Sequence, residues 1–368
     1  MLKIEYLEEE IPVYDITVEG THNFFANNIL IHNCTEICEP TTPIEDLNDE
    51  NGEIALCTLS AYNVGLIKSD KELEDLSDLV VRFLDELIET QTYLVRAAEI
   101  STRNRRMLGI GIIGLAHYFA KLGVSYEEPE AWSATHGLAE SIQYYLLKAS
   151  NNLAKEKGAC GYFNRTKYSD GILPIDTYKK DIDDICNDPL QHDWESLRQE
   201  ILTYGLRHST LSTIMPSESS SIVSNATNGI EPPRGLLSYK KSKKGPIKQI
   251  VPQYSSLKNN YTLLWDMKSN KGYFNIVAMI QKFFDQGIST NWNYNPDNFP
   301  NKEIPMSVVA NDFVSAYRLG HKTAYYSNTY DGRSDGVEEK EEPKGDIQDL
   351  INELANQDGD DYCESCTV

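Results

Sequence analysis

An apolar run at residues 107–116 is the feature that most constrains how this chain folds. The run is too short to cross a bilayer and is typical of a buried core strand or helix. Apolar residues 108–115 and 222–223 are strand candidates, and an acidic segment before them repeats apolar residues at helical spacing. This alternation of helix and strand favours an α/β architecture. The residues that predict the acidic surface helix are Leu73, Leu76, Val80, Phe83, Leu84 and Leu87.

The same run contains glycines at the spacing of the GxGxxG motif of dinucleotide-binding proteins. Gly109, Gly111 and Gly114 carry this pattern. The motif requires a hydrophobic strand in front of it, whereas residues 103–107 include three arginines. We therefore interpret the segment as a glycine-rich barrel strand and not as a nucleotide-binding turn.

The charge balance excludes one broad class of function. The net charge is -22, whereas nucleic-acid binders need clustered lysine and arginine, so we expect no nucleic-acid partner. Much of the surplus lies in residues 331–368, where 13 acidic residues stand against 3 basic ones. We expect this segment to be a flexible, solvated tail, with a short helix candidate at residues 347–354.

The cysteines and the hydropathy predict a cytoplasmic protein. Seven cysteines without regular spacing, in a sequence with no signal peptide, suit a reducing compartment. Because the sequence contains no apolar run long enough to span a bilayer, we expect no membrane partner.

The two ends of the chain have different local patterns. Residues 1–33 predict short strands, since residues 12–18 alternate apolar and polar side chains and residues 21–30 are rich in aromatics and asparagine. Residues 308–319 predict a helix that ends at Gly320, because glycine readily adopts the left-handed conformation after a helix. Residues 323–326 predict a buried strand.

The N-terminal segment carries a reactive sequence. Residues 13–24 read VYDITVEGTHNF, and residues 29–34 read ILIHNC. A thiol just after a junction can accept an acyl group, and an asparagine before it can cleave its own peptide bond by forming a succinimide. Cys34 and Asn33 occupy these positions. Over nearly all of residues 11–34, the sequence resembles the C-terminal blocks of inteins.

This resemblance implies that residues 1–33 are the C-terminal fragment of a split intein. Succinimide formation needs proton transfer and a polarised carbonyl, tasks that suit the imidazoles of His32 and His22. Asp15 would position or tune the thiol chemistry of Cys34. Because 33 residues lack the N-terminal nucleophile, a second chain is implied, with the N-terminal intein half fused to the N-terminal half of the host protein. The simpler alternative is a β-hairpin with two incidental histidines.

From Cys34 onward the chain carries several long motifs. They read CTEI at residues 34–37, GEIALCTLS at 52–60, MPSESSS at 215–221, SNATNGIEPPRG at 224–235 and TAYY at 323–326. Together they resemble the large (alpha) subunit of aerobic, class I ribonucleoside-diphosphate reductases. The implied fold is the second half of a ten-stranded α/β barrel over residues 34–330, with the radical cysteine on an inserted loop. A short all-β intein fragment precedes it, and the acidic tail follows.

The resemblance also implies thiyl-radical chemistry. Cys34 would become a transient thiyl radical that abstracts the 3'-hydrogen of the ribose. Glu36 would act as general base on the 3'-hydroxyl group. Cys57 would be one of two reducing thiols that form a disulfide as the 2'-hydroxyl leaves, with its partner cysteine in the missing half.

Two further motifs take functions only from the resemblance. Tyr325 and Tyr326 would pass a radical from the small subunit to Cys34, although an isolated tyrosine pair is more often part of a core. The serine-rich stretch would bind substrate phosphates through hydroxyl and backbone N–H groups, although it would otherwise be read as a turn. The substrate-binding residues implied are Leu59, Pro216, Ser217, Glu218, Ser219 and Ser220.

The remaining cysteines divide into a pair and three others. Cys363 and Cys366 form a CxxC motif, which the resemblance implies is a swinging dithiol that reduces the active-site disulfide. Thioredoxin or glutaredoxin would reduce it in turn. Half of a zinc site is the alternative, but the sequence offers no second ligand pair nearby, so we expect no metal. Cys38, Cys160 and Cys186 are predicted packing residues.

The resemblance implies several partners. They are the N-terminal reductase half, a metal-containing small (beta) subunit that supplies the radical, a second large subunit in a homodimer, and a ribonucleoside diphosphate substrate. We expect no cofactor on this chain and allosteric nucleotides on the missing half, so this chain alone should not reduce nucleotides. Two rivals stay open: residues 34–368 as an inactive remnant, or residues 1–33 as a non-splicing segment on a fragment that assembles non-covalently.

Overall fold

The computed structural model describes residues 23–26, 29–32, 36–46, 48–242, 245–330 and 332. The strands are β1 Asn23–Ala26, β2 Ile29–His32, β3 Thr58–Asn63, β4 Leu108–Ile113, β5 Leu237–Ser242, β6 Gly245–Ile250, β7 Trp292–Tyr294 and β8 Ser327–Thr329. The helices are α1 Asp70–Thr90, α2 Arg96–Arg105, α3 Leu115–Leu122, α4 Pro129–Lys157, α5 Pro174–Thr177, α6 Trp194–Tyr204, α7 Glu218–Val223, α8 Tyr254–Leu257, α9 Lys271–Phe283 and α10 Met306–Arg318.

Helix α1 confirms the helix predicted from the acidic apolar repeat. It begins where the Ser69 side chain accepts a hydrogen bond from the Glu72 N–H, which satisfies one of the free donors of the first turn. Leu73, Leu84 and further residues of one stripe are buried against α4, whereas Phe83 is 65% exposed. The repeat therefore predicted the helix correctly but included a residue that lies outside its buried face.

Strands β3 and β4 form a parallel pair. Thr58 lies opposite Leu108 and Asn63 lies opposite Ile113, and all of β4 is buried. Because parallel strands need a crossover connection, α1 and α2 lie between them in sequence. The glycine-rich run is thus a buried strand, as predicted.

Parallel pairing continues beyond β4 through segments outside the named strands. Ser212 bridges to Ile110, and Ile288 bridges to Ile214, both in parallel. Farther along, β7 pairs in parallel with β8. Helices separate each of these strands in sequence, which confirms the α/β prediction. No helix in the described part of the chain has the length and apolar character needed to span a bilayer.

Glycines explain how β4 fits among its neighbours. A side-chain carbon at Gly111 would lie 2.6 Å from the backbone oxygen of Thr213, so the adjoining segment can approach only a glycine here. Gly114 has φ +79° and ends the strand at the turn into α3. The GxGxxG spacing therefore arises from close packing and from one turn.

Two predicted strands are wrong. Residues 222–223 belong to α7, and Val223 is 88% exposed, because this segment forms one short turn of helix at the edge of a cavity. Residues 323–326 are extended but irregular, and β8 begins only at Ser327. They are not buried as a strand because Tyr326 projects with 57% of its surface exposed.

The C-terminal helix and its end follow the prediction. Helix α10 covers Met306–Arg318, and Gly320 adopts φ +77° just after it. The short helix candidate at residues 347–354 and the rest of the predicted tail beyond residue 332 lie outside the described residues.

Candidate active site

A large cavity lies beside the parallel strands, lined by residues of β3 and by Ile113 of β4. Its volume is about 1480 Å³, and segments that are far apart in the sequence line it. The six predicted substrate-binding residues and both predicted radical-transfer tyrosines lie on its wall. They are Leu59, Pro216, Ser217, Glu218, Ser219, Ser220, Tyr325 and Tyr326.

The serine-rich stretch, residues 215–221, presents polar groups to this cavity. Ser217 is the residue before α7 and is buried, and its Oγ makes no hydrogen bond to any described residue. Thr227 Oγ1 and Asn228 Oδ1 belong to residues of the cavity wall and are also buried. They too make no hydrogen bond to any described residue. Buried polar atoms normally have a partner, so these three are available to a polar ligand or to water.

Glu36 is fully buried beside the cavity. Ser289 Oγ donates a hydrogen bond of 2.6 Å to Glu36 Oε2, and Ser289 itself lines the cavity. The Gly287 N–H donates to the Glu36 backbone oxygen at 2.8 Å, which fixes the segment against residues 286–290. The carboxyl group is therefore held in one orientation next to the cavity wall.

Cys57 lies just before β3 and is half-buried. The Gln286 side-chain amide donates to its Sγ at 3.5 Å. A side-chain carbon at Gly109 would lie 2.6 Å from the same sulphur, so glycine at this position of β4 leaves the space that the thiol occupies. Burial, and then the Glu39 carboxyl group, raise the pKa of the Cys57 thiol well above its ordinary value.

Sequence reasoning missed a pair of buried carboxyl groups beside Cys57. Burial raises the pKa of Glu39 to about 8, and the charge of Asp285 acts in the same direction. Asp285 is held by backbone N–H groups of Leu211 and Ser212 at 2.9 and 3.0 Å, and burial raises its pKa. The position of Glu39, three residues after Glu36, was the one available signal; nothing in the sequence places Asp285 here.

Tyr325 and Tyr326 are chain neighbours whose rings are in contact at a tilt. Their ring centroids lie 4.1 Å apart, with an interplanar angle of 45°. The Tyr325 N–H donates to the Thr290 oxygen at 2.9 Å, and the Trp292 N–H donates to the Tyr326 oxygen at 2.8 Å. These bonds hold the pair beside the segment that carries Ser289.

Several predicted residues cannot be placed. Asp15, His22, Asn33, Cys34, Cys363 and Cys366 lie outside the described residues. The backbone of His32 lies in β2, opposite Asn23 in an antiparallel hairpin. Cys160 and Cys186 are buried, as expected of packing residues, whereas this expectation is wrong for Cys38, which is exposed because it lies on a surface segment.

Most of this chain matches known proteins. A family model described as "Ribonucleotide reductase, barrel domain" matches residues 13–260 and 254–327, so the match begins within the predicted intein segment. The ribonucleoside-diphosphate reductase alpha subunit of Haemophilus influenzae is 57% identical over 306 residues, covering 83% of this chain and 40% of that protein. The ribonucleoside-diphosphate reductase 1 subunit alpha of Salmonella typhimurium is 54% identical over 332 residues, covering 90% of this chain and 42% of that protein. The ribonucleoside-diphosphate reductase subunit alpha of Enterobacteria phage T4 is 41% identical over 342 residues, covering 91% of this chain and 45% of that protein. The chain thus spans less than half the length of these relatives.

Proposed function

Because the chain belongs to the ribonucleotide reductase family, matching its barrel domain and the C-terminal portion of the class I alpha subunit, we propose that it supplies the catalytic chemistry of a ribonucleoside-diphosphate reductase. One observation carries the proposal. The serine-rich stretch and the tyrosine pair line one cavity, Glu36 is hydrogen-bonded to Ser289 on its wall, and Cys57 lies with Leu59, another wall residue, against Gly109.

The proposed reaction divides the tasks among these residues and Cys34, which lies outside the described part of the chain. Cys34 abstracts a hydrogen atom from the ribose, and Glu36, fixed by Ser289, takes the proton of the 3'-hydroxyl group. Cys57 supplies one of the two thiols that reduce the substrate. The tyrosine pair, with ring centroids 4.1 Å apart, passes the radical inward from a metal-containing small subunit.

The substrate class follows from the cavity wall. A ribonucleoside diphosphate is a polar molecule with hydroxyl and phosphate oxygens that need hydrogen-bond partners. The buried Ser217, Thr227 and Asn228 atoms that make no bond to described residues offer such partners. Leu59, exposed on the same wall, provides an apolar surface for the base or the ribose.

Residues 1–33 are proposed to join this chain to its other half by splicing in trans. The β1–β2 hairpin ends at His32, so its backbone leads directly into Asn33 and Cys34. Splicing would give Cys34 two successive tasks, first as the acceptor in the splicing reaction and then as the radical cysteine. The tail dithiol Cys363 and Cys366 would then reduce the disulfide that contains Cys57.

Reconstitution tests both parts of the proposal. The chain is mixed with a chain that carries the N-terminal reductase half and the N-terminal intein half, and a denaturing gel reports ligation. With the small subunit and thioredoxin added, ligated protein is expected to reduce ribonucleoside diphosphates, and a Cys57→Ser variant is expected to lose thioredoxin-dependent turnover. Absence of ligated product would rule out splicing, and unchanged turnover of the Cys57→Ser enzyme would rule out the reducing-thiol assignment.

A further inference from the structure

The Glu39 carboxyl group has no assigned task in the reaction proposed above, yet it lies beside the Cys57 thiol, whose pKa its charge raises. The Gln286 side-chain amide links the two sites, since it donates to Cys57 Sγ at 3.5 Å and to Thr210 Oγ1 at 3.3 Å. Glu39 Oε1 accepts a long hydrogen bond of 3.4 Å from Thr210 Oγ1. Its Oε2 is buried and makes no hydrogen bond of ordinary geometry within the described part of the chain. A buried carboxyl oxygen beside a thiol, with so few other partners, is free to exchange a proton with that thiol.

We propose that Glu39 is the proton donor for the Cys57 sulphur when the disulfide containing Cys57 is reduced. The inference rests on the proposed function in one respect, namely that Cys57 cycles between thiol and disulfide.

The surroundings of Cys57 explain why a donor is needed. Burial disfavours a thiolate at this position, and Glu39, when ionised, disfavours it further. A Cys57 sulphur that leaves a disulfide therefore requires a proton at once. The Gln286 amide can donate a hydrogen bond to the sulphur but cannot release a proton. Glu39 has a pKa of about 8, so it carries a proton at neutral pH and can lose it readily.

A dithiol reduces the disulfide that contains Cys57 in two exchange steps. The thiolate of the dithiol attacks the sulphur of the cysteine that is paired with Cys57 and forms a mixed disulfide with it. The original S–S bond breaks, and the Cys57 sulphur leaves with the electron pair. The Glu39 carboxylic acid gives its proton to the Cys57 sulphur and becomes a carboxylate. The second thiol of the dithiol then attacks the resulting mixed disulfide, so the dithiol's own S–S bond forms as the mixed S–S bond breaks, and the proton that this thiol loses ends on the partner sulphur that leaves. Solvent returns a proton to Glu39.

A small disulfide at Cys57 tests this step in the full chain. Methyl methanethiosulfonate converts Cys57 to its methyl disulfide, and dithiothreitol reduces it. Mass spectrometry follows Cys57 after a Glu-specific digest, because cleavage after Glu53 separates it from Cys34 and Cys38. The rate is divided by the fraction of dithiothreitol that is ionised at each pH, so that only the protein's contribution remains.

The Glu39→Gln variant separates proton donation from charge. Glutamine matches protonated glutamate in shape and charge, so a purely electrostatic role predicts no change at pH 6.5. Proton donation instead predicts a rate about a hundredfold lower, at the low end for general acid catalysis. Glu45→Gln is the matched control, because Glu45 is an exposed carboxyl of the same segment. A Glu39→Gln rate within twofold of both wild type and control would overturn the proposal.

The wild-type pH profile gives a second test that needs no variant. The corrected rate is expected to fall as the pH rises through about 8, because Glu39 loses the proton that it donates. A flat profile from pH 6.5 to 9.5 would overturn the proposal. Asp285 and Glu36 are the other carboxyl groups that face Glu39 or Cys57, and both stay unchanged in every variant. The assay involves no ribonucleotide, so failure of the proposed function would not alter its outcome.

Discussion

Ser289 Oγ donates a hydrogen bond of 2.6 Å to Glu36 Oε2, although the two residues stand 253 positions apart in the sequence. The bond links the segment that follows the predicted radical cysteine to the wall of the cavity. It defines which way the Glu36 carboxyl group faces, and it can be removed by a single substitution.

Ser289→Ala is expected to lower kcat of the reconstituted enzyme roughly ten- to hundredfold, since a hydrogen bond to a charged group contributes about 1.5–3 kcal/mol. Steady-state assays of ribonucleoside diphosphate reduction measure it. Ser255→Ala, at an exposed serine, is the control. Equal kcat in the two variants would show that Glu36 does not depend on Ser289.

Gly109→Ala is expected to displace Cys57 and to destabilise the fold. The added carbon would lie 2.5 Å from Leu59 Cδ2 and 2.6 Å from Cys57 Sγ, and such overpacking typically costs about 1–3 kcal/mol. Urea unfolding and the alkylation rate of Cys57 report the two effects. Gly137→Ala in α4 should be neutral or stabilising, because its new carbon meets only the flexible end of Gln191. Equal stability of the two variants would contradict the packing argument.

Arg105→Met is expected to lower the free energy of unfolding by up to roughly 3–5 kcal/mol, because the buried Glu53 carboxylate loses its bidentate partner and keeps only Arg165, whose Nη1 lies 3.5 Å away. The two side chains meet at 2.6 and 3.1 Å, and both are buried. Denaturant titration measures the loss. Arg82→Met, at a solvent-exposed cluster with Asp78 and Glu156, should cost less than about 1 kcal/mol.

Acid is expected to destabilise the fold through His321. Burial lowers the pKa of His321 to about 4, although a hydrogen bond to the Phe274 oxygen acts in the opposite direction. Between pH 6.5 and 4 the unfolded chain binds the proton and the folded chain does not, so stability falls with falling pH by up to about 1.4 kcal/mol per pH unit. Urea midpoints at pH 7 and pH 5 should differ less in His321→Gln than in wild type. An equal difference would contradict the assignment.

Asn33→Ala is expected to abolish ligation and, with it, reductase activity, because peptide cleavage before Cys34 requires the asparagine side chain. A denaturing gel and a turnover assay on the same mixture measure both. Turnover in the unligated Asn33→Ala mixture would refute the idea that splicing must precede reduction.

Local patterns predicted the helices well and the irregular segments poorly. Helices α1 and α10 follow from apolar spacing and from Gly320, and β4 follows from its continuous apolar run. The errors at residues 222–223 and 323–326 lie at the cavity, where an exposed Val223 and Tyr326 give apolar or aromatic sequence without a buried strand. There the cavity, and not the core, determines the conformation.

The candidate site was predicted in its motifs but not in its supporting contacts. Glu36, Cys57 and the tyrosine pair lie in recognisable stretches of sequence. Ser289, Asp285 and Gln286 lie in no such stretch, and they reach the site only because residues 286–290 pair with the strand beside β4. Contacts of this kind depend on the tertiary fold, which no local pattern records.

The separation of Glu36 from Ser289 also has a consequence in time. At 5–20 residues per second, a ribosome that has made Glu36 needs roughly 13–50 seconds more to make its partner. During that interval the new chain displays the junction at residues 33–34 before residues 286–290 exist to pack beside it. If splicing is as fast as synthesis, ligation of the two halves would take place on the ribosome, before the catalytic pocket has formed.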